Sequence, residues 1–120
     1  MSIIDDEEDL FYVFKEALSH IKSVDVFGFT DPELALGHFM TNQERYRVVI
    51  SDYRMPKITG IEVLRRIKEM NQAVRRILVS AFEIQDEIRD CNCVDRFLQK
   101  PIAMTDLINE VQTLITKTKF

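Results

Sequence analysis

Residues that break, bend or staple a chain are scarce in this 120-residue sequence, which holds three glycines, three prolines and two cysteines. With so little Gly and Pro there is no low-complexity linker, and no repeat recurs. Cys91 and Cys93 form one Cys-x-Cys with no second pair, so reduced, partly buried thiols are the expected state. A zinc site would need four ligands, and His20 and His38 lie far away on separate predicted helices, so the cysteines are assigned no metal. No apolar run approaches the ~18 residues that would span a bilayer. The opening Met1-Ser2-Ile3-Ile4 runs straight into acids, without the basic and apolar blocks of a signal peptide. A cytoplasmic chain with no membrane partner is expected.

What is present suits one globular domain over residues 1–120, with 46% hydrophobic and 30% charged residues. A chain of this size buries roughly two-thirds of its unfolded surface, enough for a core without staples. The formal charge of −4 is unevenly placed. Asp5, Asp6, Glu7, Glu8 and Asp9 supply five of the 20 acids, and the rest of the chain is nearly balanced, 15 acids against 16 bases. Acidic runs are usually solvated faces or tails. This one follows an apolar pair and precedes a helical pattern, which a disordered tail would not.

Short β-rich runs alternate with helical patterns. Ile3-Ile4 reads as the end of a first strand, and Leu10, Phe14, Ala17, Leu18 and Ile21 as a helix with one buried face. Residues 24–29 form a second strand, and Asp31-Pro32 starts a helix, the aspartate capping and the proline sitting where no amide is needed, followed by Leu34, Ala35, Phe39 and Met40 as its apolar positions. Val48-Val49-Ile50 is too uniformly apolar to have a wet face, and it ends at Ser51-Asp52. Ile61, Leu64, Ile67 and Met70 make a third helix, closed by Asn71. Ile77-Leu78-Val79 ends at Ser80, a short polar helix covers about residues 83–90, and Phe97-Leu98 is a fifth strand. Leu107, Ile108, Val111, Leu114 and Ile115 mark the last helix, with Thr105 as its cap. Strands joined this way pair in parallel through helical crossovers, which predicts a doubly wound five-stranded α/β sheet with helices on both faces.

In that architecture sites form beyond the carboxyl ends of the strands. Asp5-Asp6, Asp52, Ser80 and Lys100 each follow or end a strand and converge on one rim. Two carboxylates ~4 Å apart at an effective dielectric of ~20 repel by about 4 kcal/mol, so three together call for a counterion beyond Lys100. An oxygen-rich anionic rim is hard-cation chemistry, and Mg²⁺ binds through carboxylates, waters and phosphate. Attack of a carboxylate on phosphorus to give an aspartyl phosphate fits the same set, with catalysis mainly by positioning and charge stabilisation.

At this point the segments IIDDEED, VVISDYRMPKITGIEVL, ILVSA and FLQKPI, in that order, resemble the receiver domain of two-component response regulators over the whole chain. The resemblance implies a flavodoxin-like strand order 2-1-3-4-5. It further implies that Asp52 is the phosphoacceptor and that Mg²⁺ is held by Asp5, Asp6, Asp52 and the Arg54 backbone carbonyl. Ser80 is then the switch hydroxyl, Lys100 the cation pairing with the phosphoryl group, and Phe97 the aromatic switch. Lys100-Pro101 resembles the family's cis peptide, and Gly60 suits the loop after the acceptor because it tolerates positive φ. The implied partners are a sensor histidine kinase or phosphotransfer protein and a downstream protein of unknown identity. The implied state is a monomer or phosphorylation-dependent dimer, and the chain is a signalling domain rather than a turnover enzyme.

Residues 80–100 depart from the pattern. They are polar and carry Cys91-Asn92-Cys93 where a glycine is common, so the fourth helix is expected to be short or irregular. Only four residues precede Asp5, fewer than is usual, so the expectation is either a short first strand or a trimmed chain. Arg54 and Phe82 flank the path of a hydrolytic water, and bulky Phe82 is expected to slow loss of the phosphoryl group.

Three other readings compete. A degenerate receiver that only docks proteins would lack one of the acids, the hydroxyl or the lysine, and none is missing. A phosphatase on a related core would want a second Asp two residues after the nucleophile, where Arg54 stands. Nucleic-acid binding is suggested by Arg65, Arg66, Lys68, Arg75 and Arg76, but such charges usually form a solvated face and the chain is acidic.

Overall fold

Strands that are apolar on both sides have no wet face, so they settle between two layers of helices. The computed structural model shows this arrangement. It describes residues 1–4, 8–21, 25–55 and 57–117, and the side chains at 8–11, 13, 116 and 117 lie outside the description. In chain order the elements are β1 (Ser2–Ile4), α1 (Glu8–Leu18), β2 (Phe27–Phe29), α2 (Pro32–Thr41), a 3₁₀ turn (Gln43–Arg45), β3 (Val48–Asp52), α3 (Gly60–Met70), β4 (Arg75–Ser80), α4 (Gln85–Cys91), β5 (Arg96–Gln99) and α5 (Met104–Lys117).

All strand pairs are parallel, giving the doubly wound sheet expected from the sequence in the flavodoxin-like order β2-β1-β3-β4-β5 that the resemblance implies. Alternation along the strands divides the core in two. Val48 and Ile50 pack with Phe14, Leu18, Leu107 and Val111 of α1 and α5, whereas Val49 packs with Phe39, Val63, Leu64 and Ile67 of α2 and α3. Burial on both faces is why β3 reads as a continuous apolar run. Among the described residues, no helix is long and apolar enough to cross a membrane.

Helix ends follow local chemistry. The Asp31 carboxylate accepts from the Glu33 N–H at 2.9 Å and opens α2, with Pro32 in the first turn. The Thr59 hydroxyl accepts from the Glu62 N–H at 3.3 Å and opens α3. Asn71 does close α3, in an extended conformation, and its side chain accepts from the Ala73 N–H at 3.0 Å.

Several expectations need correction. Thr105 is no cap. α5 begins at Met104, and the Ala103 carbonyl accepts from the N–H groups of Asp106 and Leu107. β2 is shorter than residues 24–29, starting at Phe27, while residue 24 lies outside the described part. Leu34 and Met40 of α2 are exposed, leaving Ala35, Leu36 and Phe39 to fill the core. Gly60 does not sit at positive φ, and the left-handed residue of that loop is Lys57, at φ 75°. Cys91 and Cys93 are not free thiols but are joined as a disulfide, with Cα atoms 5.2 Å apart. The basic residues of α3 and β4 are not simply solvated either. Arg65 and Arg66 pair with Glu62, Lys68 donates to the Asn92 carbonyl, and Arg76 is 5% exposed.

Candidate functional site

Register brings the strand exits together. Ile4 pairs with Ser51, Asp52 with Val79 and Ser80 with Gln99, so β1, β3, β4 and β5 finish side by side. The Tyr53 N–H donates to the Val79 carbonyl at 2.9 Å, and the Lys100 N–H to the Ser80 carbonyl at 2.8 Å, extending the ladders just past the strands. These bonds fix the backbone on which Asp52, Ser80 and Lys100 are carried.

Asp52 is 6% exposed, in contact with a cation. Lys100 Nζ lies 3.2 Å from its Oδ1, with the lysine side chain 13% exposed. A carboxylate held this far from water stays charged at a tolerable cost only beside such a partner. Lys100-Pro101 is cis, as the resemblance implies. Ser80 is buried at 1% exposure, and its Oγ accepts from the Phe82 N–H at 2.9 Å, which leaves the hydroxyl proton to donate elsewhere. Asp52, Ser80 and Lys100 therefore meet at one rim, as the strand-end reading expects.

The loop after Asp52 is shaped by close approach. The Gly60 N–H donates to the Tyr53 carbonyl at 2.7 Å, and a Cβ on Gly60 would sit 2.8 Å from Leu78 Cδ1 and 2.9 Å from the Asp52 carbonyl carbon, closer still to its oxygen. Only a residue without a side chain lets α3 begin so near the end of β3. Exposed Arg54 places its guanidinium carbon 5.5 Å from the centroid of the Phe82 ring, a cation–π contact spanning the loops after β3 and β4. Phe97 is half-buried against the α2–α3 side of the core, and it lines a cleft of about 370 Å³ with Leu98, Ile102, Asp106 and Glu110.

Asp5 and Asp6 lie outside the described residues, and among the described residues no three His, Cys, Asp or Glu side chains gather. What is described fits a hard cation in kind. Asp52 offers carboxylate oxygens in a nearly dry rim, and the sequence places two more acids directly after Ile4, whose strand partner is Ser51 beside Asp52.

One residue escaped the sequence reading. Tyr53, next to Asp52, donates its hydroxyl to Glu87 Oε2 at 2.8 Å and so ties the exit of β3 to α4. The carboxylate that accepts this bond, with burial and charge repulsion adding to it, pushes the phenol above its ordinary range. The pair is 34 residues apart in sequence, and no local pattern announces it.

Comparison with known proteins agrees with this geometry. The family described as response regulator receiver domain matches residues 1–112. The chain is 29% identical over 91 residues to the two-component response regulator ARR17 of Arabidopsis thaliana, an alignment covering 72% of this chain and 58% of that protein. The chain thus spans just over half the length of that curated relative. Among solved structures, a response regulator receiver domain protein from Clostridium thermocellum superposes with TM-score 0.87 at 26% identity, covering 97% of this chain and 93% of that one. The receiver domain of the Francisella response regulator 1452 superposes with TM-score 0.82 at 26% identity, covering 98% and 97%.

Proposed function

This chain belongs to the response regulator receiver family, and from that premise we propose that it accepts a phosphoryl group on Asp52 from a phosphohistidine of a sensor histidine kinase or phosphotransfer protein. The observation that carries the reading is the buried Asp52–Lys100 contact at 3.2 Å, on a rim shared with the hydroxyl of Ser80.

In the transfer, an Asp52 Oδ attacks phosphorus, the new O–P bond forms in line with the breaking N–P bond, and the imidazole nitrogen leaves with the electron pair. Mg²⁺ would be held by Asp5, Asp6, Asp52 and the Arg54 carbonyl, where it supplies charge neutralisation for the phosphoryl oxygens. Lys100 is placed to pair first with the carboxylate and then with the phosphoryl group formed on it. The Ser80 proton is placed to donate to a phosphoryl oxygen. Because little covalent chemistry is asked of the protein, this prepositioning is most of what the chain contributes.

Output then follows from a population shift in which Ser80 and Phe97 move inward and the face of α4, β5 and α5 is reshaped for a downstream protein. The chain acts as a signalling domain that catalyses its own modification, not as a turnover enzyme, and the reading places it in the cytoplasm. Incubation with acetyl phosphate and Mg²⁺ is expected to label the parent protein and not Asp52→Asn. Mg²⁺-dependent labelling of Asp52→Asn would overturn the acceptor assignment. Failure of the folded parent to label would favour a docking module without phosphotransfer.

A further inference from the structure

The Cys91–Cys93 pair is not used by the phosphoacceptor rim; Cys93 is buried in the core on the α2–α3 side with Cys91 packed at its edge, and the surroundings serve both redox states. α4 ends at Cys91, and its C-cap Asn92 adopts a left-handed conformation (φ 50°, ψ 38°). Asparagine tolerates that region, and the turn it makes brings residues 91 and 93 to a Cα separation of 5.2 Å, inside the range a disulfide requires. An extended chain would hold them about 7 Å apart. Each sulfur also has a carbonyl within thiol reach, Ile88 O at 3.4 Å from Cys91 Sγ and Ile61 O at 3.7 Å from Cys93 Sγ. If the bond opens, both thiols find acceptors where they stand.

The loop is anchored from outside. Arg76 Nε donates to the Cys93 carbonyl at 2.8 Å, the Arg76 N–H donates to Asp95 Oδ2 at 2.7 Å, and Lys68 donates to the Asn92 carbonyl. A disulfide spanning two residues closes one of the smallest loops a chain allows, so it constrains the unfolded state little and is a poor staple. In reducing compartments such bonds are transient and catalytic or redox-sensing.

We propose that Cys91–Cys93 is a reversible thiol–disulfide site whose bond stiffens the connection from α4 to β5 when oxidised and leaves it held by hydrogen bonds alone when reduced. Cys91 is partly exposed whereas Cys93 is fully buried, so Cys91 is the sulfur that exchanges with solution partners. In oxidation by a small-molecule disulfide such as glutathione disulfide, the Cys91 thiolate attacks one sulfur and one glutathione thiolate leaves. Cys93, having given up its proton, then displaces the second glutathione thiolate from Cys91, and two electrons have passed to the oxidant. Reduction by a dithiol runs the same two exchanges in reverse, and the dithiol ends as its own disulfide. The link from this loop to signalling output rests on the receiver reading. The redox chemistry does not.

The test uses the full chain, exposed to glutathione disulfide or dithiothreitol, quenched in acid, denatured, alkylated with N-ethylmaleimide and weighed intact. The oxidised sample is expected to be lighter by two hydrogens with no maleimide, and the reduced sample to carry two. Two maleimides after oxidation, or a disulfide-linked dimer, would overturn the site. Cys93→Ser is expected to trap glutathione on Cys91 at least tenfold faster than Cys91→Ser traps it on Cys93, and equal rates would overturn the assignment of the attacked sulfur. Hydrogen exchange at residues 88–97 is expected to be slower in the oxidised form, and identical exchange would remove the conformational consequence. If the disulfide cycles while the parent fails to label with acetyl phosphate, the phosphoacceptor reading falls and the redox site stands.

Discussion

Replacing Gly60 with alanine sets two effects of opposite sign against each other. Gly60 is the first residue of α3, and alanine is the better helix former by up to about 1 kcal/mol in a helix interior, less at an end. Against this, the added methyl would lie 2.9 Å from the Asp52 carbonyl carbon and 2.8 Å from Leu78 Cδ1, where ordinary contact begins at 3.4 Å. The leucine can shift, but the carbonyl belongs to a strand whose partner is β4 and whose exit is pinned by the Tyr53 to Val79 bond. Overpacking against an element that cannot give costs about 3 kcal/mol, the upper part of the usual range. The net loss is therefore about 2 kcal/mol, a substantial part of the 5–15 kcal/mol typical of a domain.

With a urea m-value of about 2 kcal/mol/M, that loss lowers the unfolding midpoint by about 1 M. The same displacement moves the Asp52 backbone away from its setting beside Lys100, so labelling by acetyl phosphate at a fixed Mg²⁺ concentration is expected to slow by about tenfold or more. Measuring both quantities on one preparation separates global instability from local distortion, because labelling is read well below the unfolding midpoint. A midpoint within about 0.2 M of the parent, together with unchanged labelling, would refute the claim that close approach is what requires glycine here.

Two further outcomes are expected. Hydrogen bonds from Arg65 and Arg66 hold the Glu62 carboxyl down to about 2 from an ordinary 4.5, so its contribution to stability is complete above pH 4.5 and is lost as pH falls through about 2. Since the group is about one-third exposed, solvent screening reduces that contribution to about 1 kcal/mol. Glu62→Gln is expected to cost that much at pH 7 with the gap narrowing below pH 4.5, and an equal gap at pH 7 and pH 3 would refute the pairing. Phe82→Ser removes the ring that faces Arg54 across the loops after β3 and β4, and it is expected to shorten the lifetime of the phosphorylated protein about threefold or more, on the scale of a general steric gate to water. An unchanged half-life, followed by loss of label after donor removal, would separate Phe82 from the water path.

The features legible in the sequence are those encoded locally. Val48 to Ile50 is apolar at every position because β3 is buried on both faces, and the run stops at Asp52 because there the sheet meets its polar rim. Asp31-Pro32 marks a helix start through side-chain chemistry within two residues. Parallel pairing and the meeting of Asp52, Ser80 and Lys100 at one rim follow from short apolar strands joined by helices, which leave few topologies, whereas the strand order was implied by the family resemblance. Gly60 was identifiable as necessary but for the wrong cause, since composition cannot tell a left-handed turn from a close approach. In the folded chain the left-handed residue is Lys57, and Gly60 faces the Asp52 backbone.

What could not be read was the pairing of distant groups, and Arg76 shows the reason. In sequence it belongs to a basic stretch of a kind that is usually solvated, yet it is 5% exposed and binds the carbonyls of Val74 and Cys93. Burial lowers its affinity for the proton, and Asp95, 19 residues on, opposes that shift with its own charge while also accepting the Arg76 N–H. A guanidinium becomes an interior residue only when such partners arrive, and a scan along the chain sees the cation without them. Tyr53 and Glu87 repeat the pattern at the other end of α4. This helix has no buried residue of its own, so side-chain bonds at its two ends do much of the work that packing does for α3. An element held in that way can be shifted by changing a few polar contacts at Tyr53 or at the Cys91–Cys93 turn, without repacking the core.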